Sequence, residues 1–225
     1  MLAPFMGFGP GAIDWFRGLA DDNSKAYFER TRATWDGDVR GPLERLLEEF
    51  GAELGGPVRL FRPNRDVRFS KDKSPYKTHT YGYVSVPGTQ SGLYLSIGAG
   101  GLDAGSGYWR MAADQLARFR AAVDGPEGAA LAEAVERMQA TGVHLWGDAM
   151  KTAPRGFPKD HPRVHLLQKK DLLAGDQLDP EKTLDGRRPK DFARSLWDRS
   201  RAVMAWMDAH VGPSTLPPEA RFGRS

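Results

Sequence analysis

Six cationic side chains fall within eighteen residues: Arg62, Arg65, Arg68, Lys71, Lys73 and Lys77. Asp66 and Asp72 stand among them, and Tyr76 and His79 close the run. The whole chain has 32 Lys/Arg in 225 residues, so an even spread would put only two or three here. These residue types suit recognition of an anion. The planar guanidinium fork grips a carboxylate or phosphate at two points. Asp66 and Asp72 would orient the forks, and Tyr76, His79 and Asp66 are the candidates for proton transfer, with His79 alone having an ordinary pKa near neutrality. The first expectation is a site for an anionic small molecule, phosphorylated or carboxylated, on Arg62, Arg65, Arg68, Lys71, Asp72, Lys73 and Lys77. The same basic hairpin could instead bind nucleic acid, with Tyr76, Tyr81 and Tyr83 as stacking groups. It could also be an internal ion-pair network on a solvated sheet edge, with no ligand.

The positioning elements follow from periodicity. Val58 to Ser70 alternates, with Phe61, Val67 and Phe69 on the core face and Arg62, Asn64, Asp66 and Arg68 opposite. Arg65 would then point with the apolar set, unless a bulge re-aims it or a buried carboxylate meets it. Ser70 to Pro75 reads as a turn in which Ser70 and Asp72 bond nearby backbone N–H groups. Thr78–Val86 and Leu93–Ile97 read as further strands, and the short links favour antiparallel hairpins. Before them come helices. One carries Ile13, Phe16 and Leu19, and a second is capped by Ser24. A third has Pro42 in its first turn and the stripe Leu43, Leu46, Leu47, Phe50 and Leu54. Helical periodicity returns at Leu116, Phe119 and Val123, then at Leu131, Val135 and Met138. A last helix starts at Pro189, with Phe192, Leu196, Val203, Trp206 and Met207 inward. Val164–Leu167 is expected to be a short strand. Helices, then antiparallel strands (residues 58–97), then helices make an α+β fold.

Lys151, Arg155, Lys159 and His161 form a second basic group on a loop framed by Pro154, Gly156, Pro158 and Pro162. Arg155 and His161 are expected to fold over the first cluster and join its ligand-binding set. Gly98-Ala99-Gly100-Gly101-Leu102-Asp103 fails the dinucleotide fingerprint, because Asp103 takes the third glycine position and a parallel context is absent. These glycines read as a turn or a close backbone approach. No Walker A loop or G-x-S-x-G elbow is present. The histidines at 79, 144, 161, 165 and 210 form no close helical pair, so no metal and no cofactor is predicted. Trp15, Trp35, Trp197 and Trp206 read as core, and Trp109 and Trp146 as pocket-lining.

The absence of cysteine excludes disulfides, thiolate metal sites and Cys nucleophiles. No apolar run approaches the ~20 residues that cross a bilayer, so no membrane partner is expected. Met1–Pro10 is apolar but short, Gly/Pro-broken and without a basic start, unlike a signal peptide. A cytoplasmic location fits. The net charge of +3 permits nucleic-acid binding without arguing for it.

The run Arg65-Asp66-Val67-Arg68-Phe69-Ser70-Lys71-Asp72-Lys73-Ser74-Pro75-Tyr76-Lys77-Thr78-His79 resembles the signature of a bacterial and fungal family, "domain of unknown function 2461". The likeness extends to the N-terminal Trp/Phe helices, to Gly98–Gly107 followed by Trp109, and to Lys151–Phe157 leading into Asp160-His161-Pro162. Asn64 and the Thr80-Tyr81 pair depart from the pattern. The resemblance implies one domain over residues 1–225 and carries no activity with it.

Overall fold

The computed structural model describes residues 4–217 and 221. Met1, Leu2 and Ala3 of the opening apolar segment lie outside the described residues. The chain begins with helices α1 (Ala12–Asp21), α2 (Lys25–Arg30) and α3 (Arg32–Thr34), a π-helical turn (Trp35–Arg40) and α4 (Gly41–Leu54). Strands β1 (Val58–Leu60), β2 (His79–Ser85), β3 (Gly92–Gly98) and β4 (Gly101–Tyr108) follow. Then come α5 (Ala113–Asp124), α6 (Glu127–Gln139), β5 (His144–Trp146), α7 (Val164–Leu167), β6 (Leu172–Leu178), α8 (Pro180–Thr183) and α9 (Arg188–His210). The strands form a six-stranded antiparallel sheet in the order β1-β2-β3-β4-β6-β5. This is the α+β class that the periodicity predicts.

The chain divides into two compact units. The first comprises residues up to Pro87, Leu93–Ala104 and Gln177–Ser195; the second takes Gly88–Gly92, Gly105–Asp176 and the chain from Leu196.

In the first unit the Ser24 hydroxyl caps α2 by accepting from the Tyr27 N–H at 3.1 Å. Pro42 sits in the first turn of α4, and Gly55 ends that helix in the left-handed region at φ 68°. Leu43, Leu46, Leu47 and Phe50 are buried, as their spacing requires. Trp15, Phe28 and Trp35 pack ring on ring, with Trp15 4.8 Å from Trp35 and 5.5 Å from Phe28. α4 covers one face of β1 and β2, where Thr80, Gly82 and Val84 are buried. A Cβ on Gly82 would collide with Leu47. Alternation therefore sends His79, Tyr81 and Tyr83 to the opposite face.

In the second unit β5 pairs with β6 through Leu145↔Ala174. Trp206 meets Phe119 edge to face at 6.3 Å and donates its indole N–H to the Glu127 carbonyl at 2.9 Å. Buried Asp171 accepts from the backbone N–H groups of Arg110 and Asp148. This helps to hold Arg110 at φ 49°, the one positive value outside glycine among the described residues.

Several expectations are corrected. Only Val58–Leu60 of the Val58–Ser70 stretch is strand. Antiparallel pairing continues briefly beyond it, as Arg65 N–H donates to the Pro75 carbonyl (2.8 Å) and Lys77 N–H to the Pro63 carbonyl (2.9 Å). Pro63 and Pro75 have no N–H of their own, so the ladder cannot extend on both edges. Phe69, expected in the core, is 97% exposed. At Gly98–Asp103 the expected turn is present at Ala99–Gly100, but it joins β3 to a strand, β4, that was not expected. At Gly101 and Gly107, with φ 104° and 149°, any Cβ would run into the carbonyls of Leu178 and Leu172. These glycines are what a close strand approach demands. Val164–Leu167 is a short helix rather than a strand.

Candidate functional site

The tip of the basic segment is held by its own charges. Asp66 receives Arg68 Nε at 2.9 Å and Arg68 Nη2 at 2.6 Å, and it caps the Arg68 N–H at 3.3 Å. Those bonds, the side-chain pair foremost, lower the Asp66 carboxyl to about 2. Asp72 pairs with Arg65 and accepts from the Ser74 hydroxyl (2.6 Å) and N–H (2.9 Å). The Ser74 hydroxyl, then Arg65, hold its carboxyl far below the usual range. Lys73 folds back on the Val67 carbonyl at 2.9 Å. The expected Asx-type turn at Asp72 is present, whereas the carboxylate that meets Arg65 is exposed rather than buried. Lys71 is exposed and has no side-chain partner among the described residues.

Tyr76 belongs to the base of the segment, not to its mouth. It is buried at 8% exposure and stacked on Phe28 at 4.3 Å, an arrangement of packing rather than proton transfer. Its backbone N–H and carbonyl are both engaged by the Asn23 amide, at 3.0 and 3.1 Å.

Below the tip, a groove of about 460 Å³ is lined by Arg59, Phe61, Arg62, Asn64, Asp66 and Lys77. Arg62, Asn64 and Asp66 share it, as their alternation predicts; Arg68 does not line it. Arg59 lies over the Phe61 ring at 4.6 Å, and Lys77 over the Tyr81 ring at 5.0 Å. Lys77 also donates to the Arg62 carbonyl at 2.7 Å. Burial, then the Arg62 charge, lowers the Lys77 pKa. Among the described residues, the Arg62 guanidinium has no partner.

A second concavity, a cleft of about 410 Å³, lies at the start of β2. His79, Tyr94, Ser96 and Asp103 line it with Phe16 and the Gly98–Gly100 backbone. Asp103 accepts from Gln177 Nε2 at 2.8 Å. Burial raises the Asp103 carboxyl, while Gln177 and His79 pull the other way. Burial lowers His79, helped by Lys77 and opposed by Asp103. Burial also raises the Tyr94 phenol, against the Ser96 hydroxyl. Perturbed titratable groups gathered in a cleft are the usual mark of a site. Among the described residues no group of three or more His, Asp or Glu could hold a metal ion.

The second basic group lies in the other unit. His161 is nearly buried there. Its Nδ1 accepts from the Arg163 N–H at 3.0 Å and its Nε2 stands 3.2 Å from Asp124. Both ring nitrogens are thus engaged by protein, which leaves His161 no hydrogen bond for the ligand expected of it. Arg163 donates to the carbonyls of Val123, Asp124 and Gly125, pinning the loop to the end of α5. Arg155 is exposed. Trp146 lies half-buried against Gly105 and Gly175, and Trp109 is 63% exposed beneath the Arg110 guanidinium.

The model of one family, described as "Conserved hypothetical protein (DUF2461)", matches residues 11–206. The chain belongs to the DUF2461 family. No curated protein matches it. The DUF2461 match covers α1 to α8, all six strands and most of α9, and with them the groove, the cleft and the self-paired tip. No described helix of this DUF2461 chain is long and apolar enough to cross a membrane.

Arg59, Tyr94, Ser96 and Asp103 are site-lining residues that the sequence reading passed over. Tyr94 and Ser96 were accessible to alternation, since Leu93, Leu95 and Ile97 form the apolar set between them, although Ser96 is buried too. Asp103 was hidden by the glycines around it, which disguise β4.

Proposed function

We propose that this protein is cytoplasmic and binds a phosphorylated or carboxylated small molecule in the groove bounded by Arg59, Arg62, Asn64 and Lys77. One observation carries the reading: two cations, Arg62 and Lys77, line one concavity, and the Arg62 guanidinium makes no hydrogen bond among the described residues. The only carboxylate there, Asp66, is engaged by Arg68. An anion would relieve the mutual repulsion and regain the hydrogen bonds that partial burial withholds. Calorimetric titration with inorganic phosphate and phenyl phosphate tests it. Arg62→Ala is expected to weaken binding by about tenfold, or 1.4 kcal/mol, while Lys71→Ala, at an exposed residue outside the groove, leaves it nearly unchanged. Equal affinity in wild type and Arg62→Ala would overturn the assignment.

A second reading is favoured by the open ring row Phe61, Tyr81 and Tyr94 beside Arg59 and Lys77. Such a row could stack single-stranded nucleic acid. Its affinity would then fall linearly on a log–log plot against salt. Anisotropy of a labelled oligonucleotide measures that slope, and a flat response removes this reading.

A further inference from the structure

The Tyr81 ring touches residues of both the groove and the cleft. Tyr81 stacks on Phe61, a groove residue, at 4.6 Å. The same ring stands 5.4 Å from His79 and 5.7 Å from Tyr94, both cleft residues. Lys77, which lies over Tyr81 in the groove, is two residues from His79 at the head of β2. The polar order along this face is therefore cations, aromatic row, then imidazole and carboxylate.

The cleft end has unused hydrogen-bonding capacity. Gln177 occupies one Asp103 oxygen, and the other has no partner among the described residues. His79 makes no hydrogen bond among them either. A half-buried carboxylate with a free oxygen gains a charge-assisted hydrogen bond from an O–H donor, which offsets part of its desolvation cost. The backbone at Gly98, Ala99 and Gly100 brings nothing larger than a methyl group to the cleft wall.

We propose that the groove and the cleft are two ends of one site, and that this site takes an anionic hydroxyaryl molecule. The phosphate or carboxylate lies on Arg62 and Lys77, the ring along Phe61 and Tyr81, and the hydroxyl between His79 and Asp103. The assignment rests on the reading of the groove as an anion site and specifies the rest of the ligand. Tyr81 selects for a ring, and Asp103 selects for a hydroxyl at its far end.

Three probes separate the parts: inorganic phosphate, phenyl phosphate and 4-hydroxyphenyl phosphate, titrated into the full chain. Affinity is expected to rise at each step by at least about threefold, the worth of one ring contact or modest hydrogen bond. Tyr81→Ala should remove the first gain and Asp103→Ala, which leaves no acceptor, the second. The His79 imidazole resonances should shift with 4-hydroxyphenyl phosphate and remain in place with inorganic phosphate. If Tyr81→Ala does not fold, the wild-type series and the His79 resonances decide the matter. Phosphate binding without any gain along the series would overturn this proposal alone. No binding of any probe would overturn it together with the anion reading of the groove. A hydroxyl gain that survives Asp103→Ala, or a His79 signal unmoved by the third probe, would dissociate the cleft from the groove.

Discussion

The tip of the basic segment and the concave face below it have similar residue types and opposite electrostatics. At the tip each anion has a nearby cation: Arg68 answers Asp66 two residues away, and Arg65 answers Asp72 seven away. The pairs are exposed, and surface pairs of this kind contribute little to stability. On the concave face the pairing is missing. Arg62 and Lys77 repel each other, and Asp103 and His79 titrate in a half-buried cleft. A dense run of charge in sequence does not by itself say which of its members are spent on one another.

The largest effect that could break this contrast lies at its hinge. Tyr76→Ala should cost about 3–5 kcal/mol in urea unfolding, because it removes a buried ring stacked on Phe28. A much smaller loss would mean that the segment is anchored elsewhere. Next comes Asp103→Asn. Burial disfavours the ionised Asp103, a cost present at neutral pH and relieved as pH falls through its raised pKa. The substitution should therefore leave the melting temperature at pH 7 unchanged or higher. By removing the anion that supports the imidazolium, it should lower the His79 pKa further, as read by NMR titration.

The pH dependence of His79 itself is weaker. Its folded pKa lies below the ordinary 6.5, so between the two values the unfolded chain binds more protons. Stability should rise with pH through that window, and His79→Gln should flatten the rise. The smallest effect is expected at the tip. Phe69→Ala should change unfolding by less than about 0.5 kcal/mol, since its ring already faces solvent. A large loss there would overturn the picture of a self-contained tip.

The helical part of the fold was legible because its signals are local. Ser24, Pro42 and the Leu43–Phe50 stripe each specify an element without reference to distant chain. β2 and β3 were legible for the same reason. β4 and β6 were not, because the glycines of β4 answer to carbonyls more than sixty residues away. The fate of Phe69 and Tyr76 could not be read from alternation either. Two prolines end the regular strand at Leu60, and beyond it the period-two rule has no ladder to act on. Of the candidate residues, Arg62, Asp66, Lys77 and His79 do line concave surfaces, whereas Arg65, Arg68, Asp72 and Lys73 spend their polar groups on one another and on the local backbone.

The clip between Asn23 and Tyr76 has a kinetic consequence. An amide side chain there does what a neighbouring strand's backbone would do, accepting one hydrogen bond and donating another across 53 residues of sequence. Closing so long a loop carries an entropic cost that grows with the logarithm of its length. The turns at Asp66 and Asp72 close over only a few residues and form early, whereas the clip waits for the helices to dock. Asn23→Ala should therefore speed unfolding in stopped-flow experiments and leave the folding rate nearly unchanged. A side chain ahead of the second helix then governs how long the base of the basic segment, and with it the lip of the groove, stays closed.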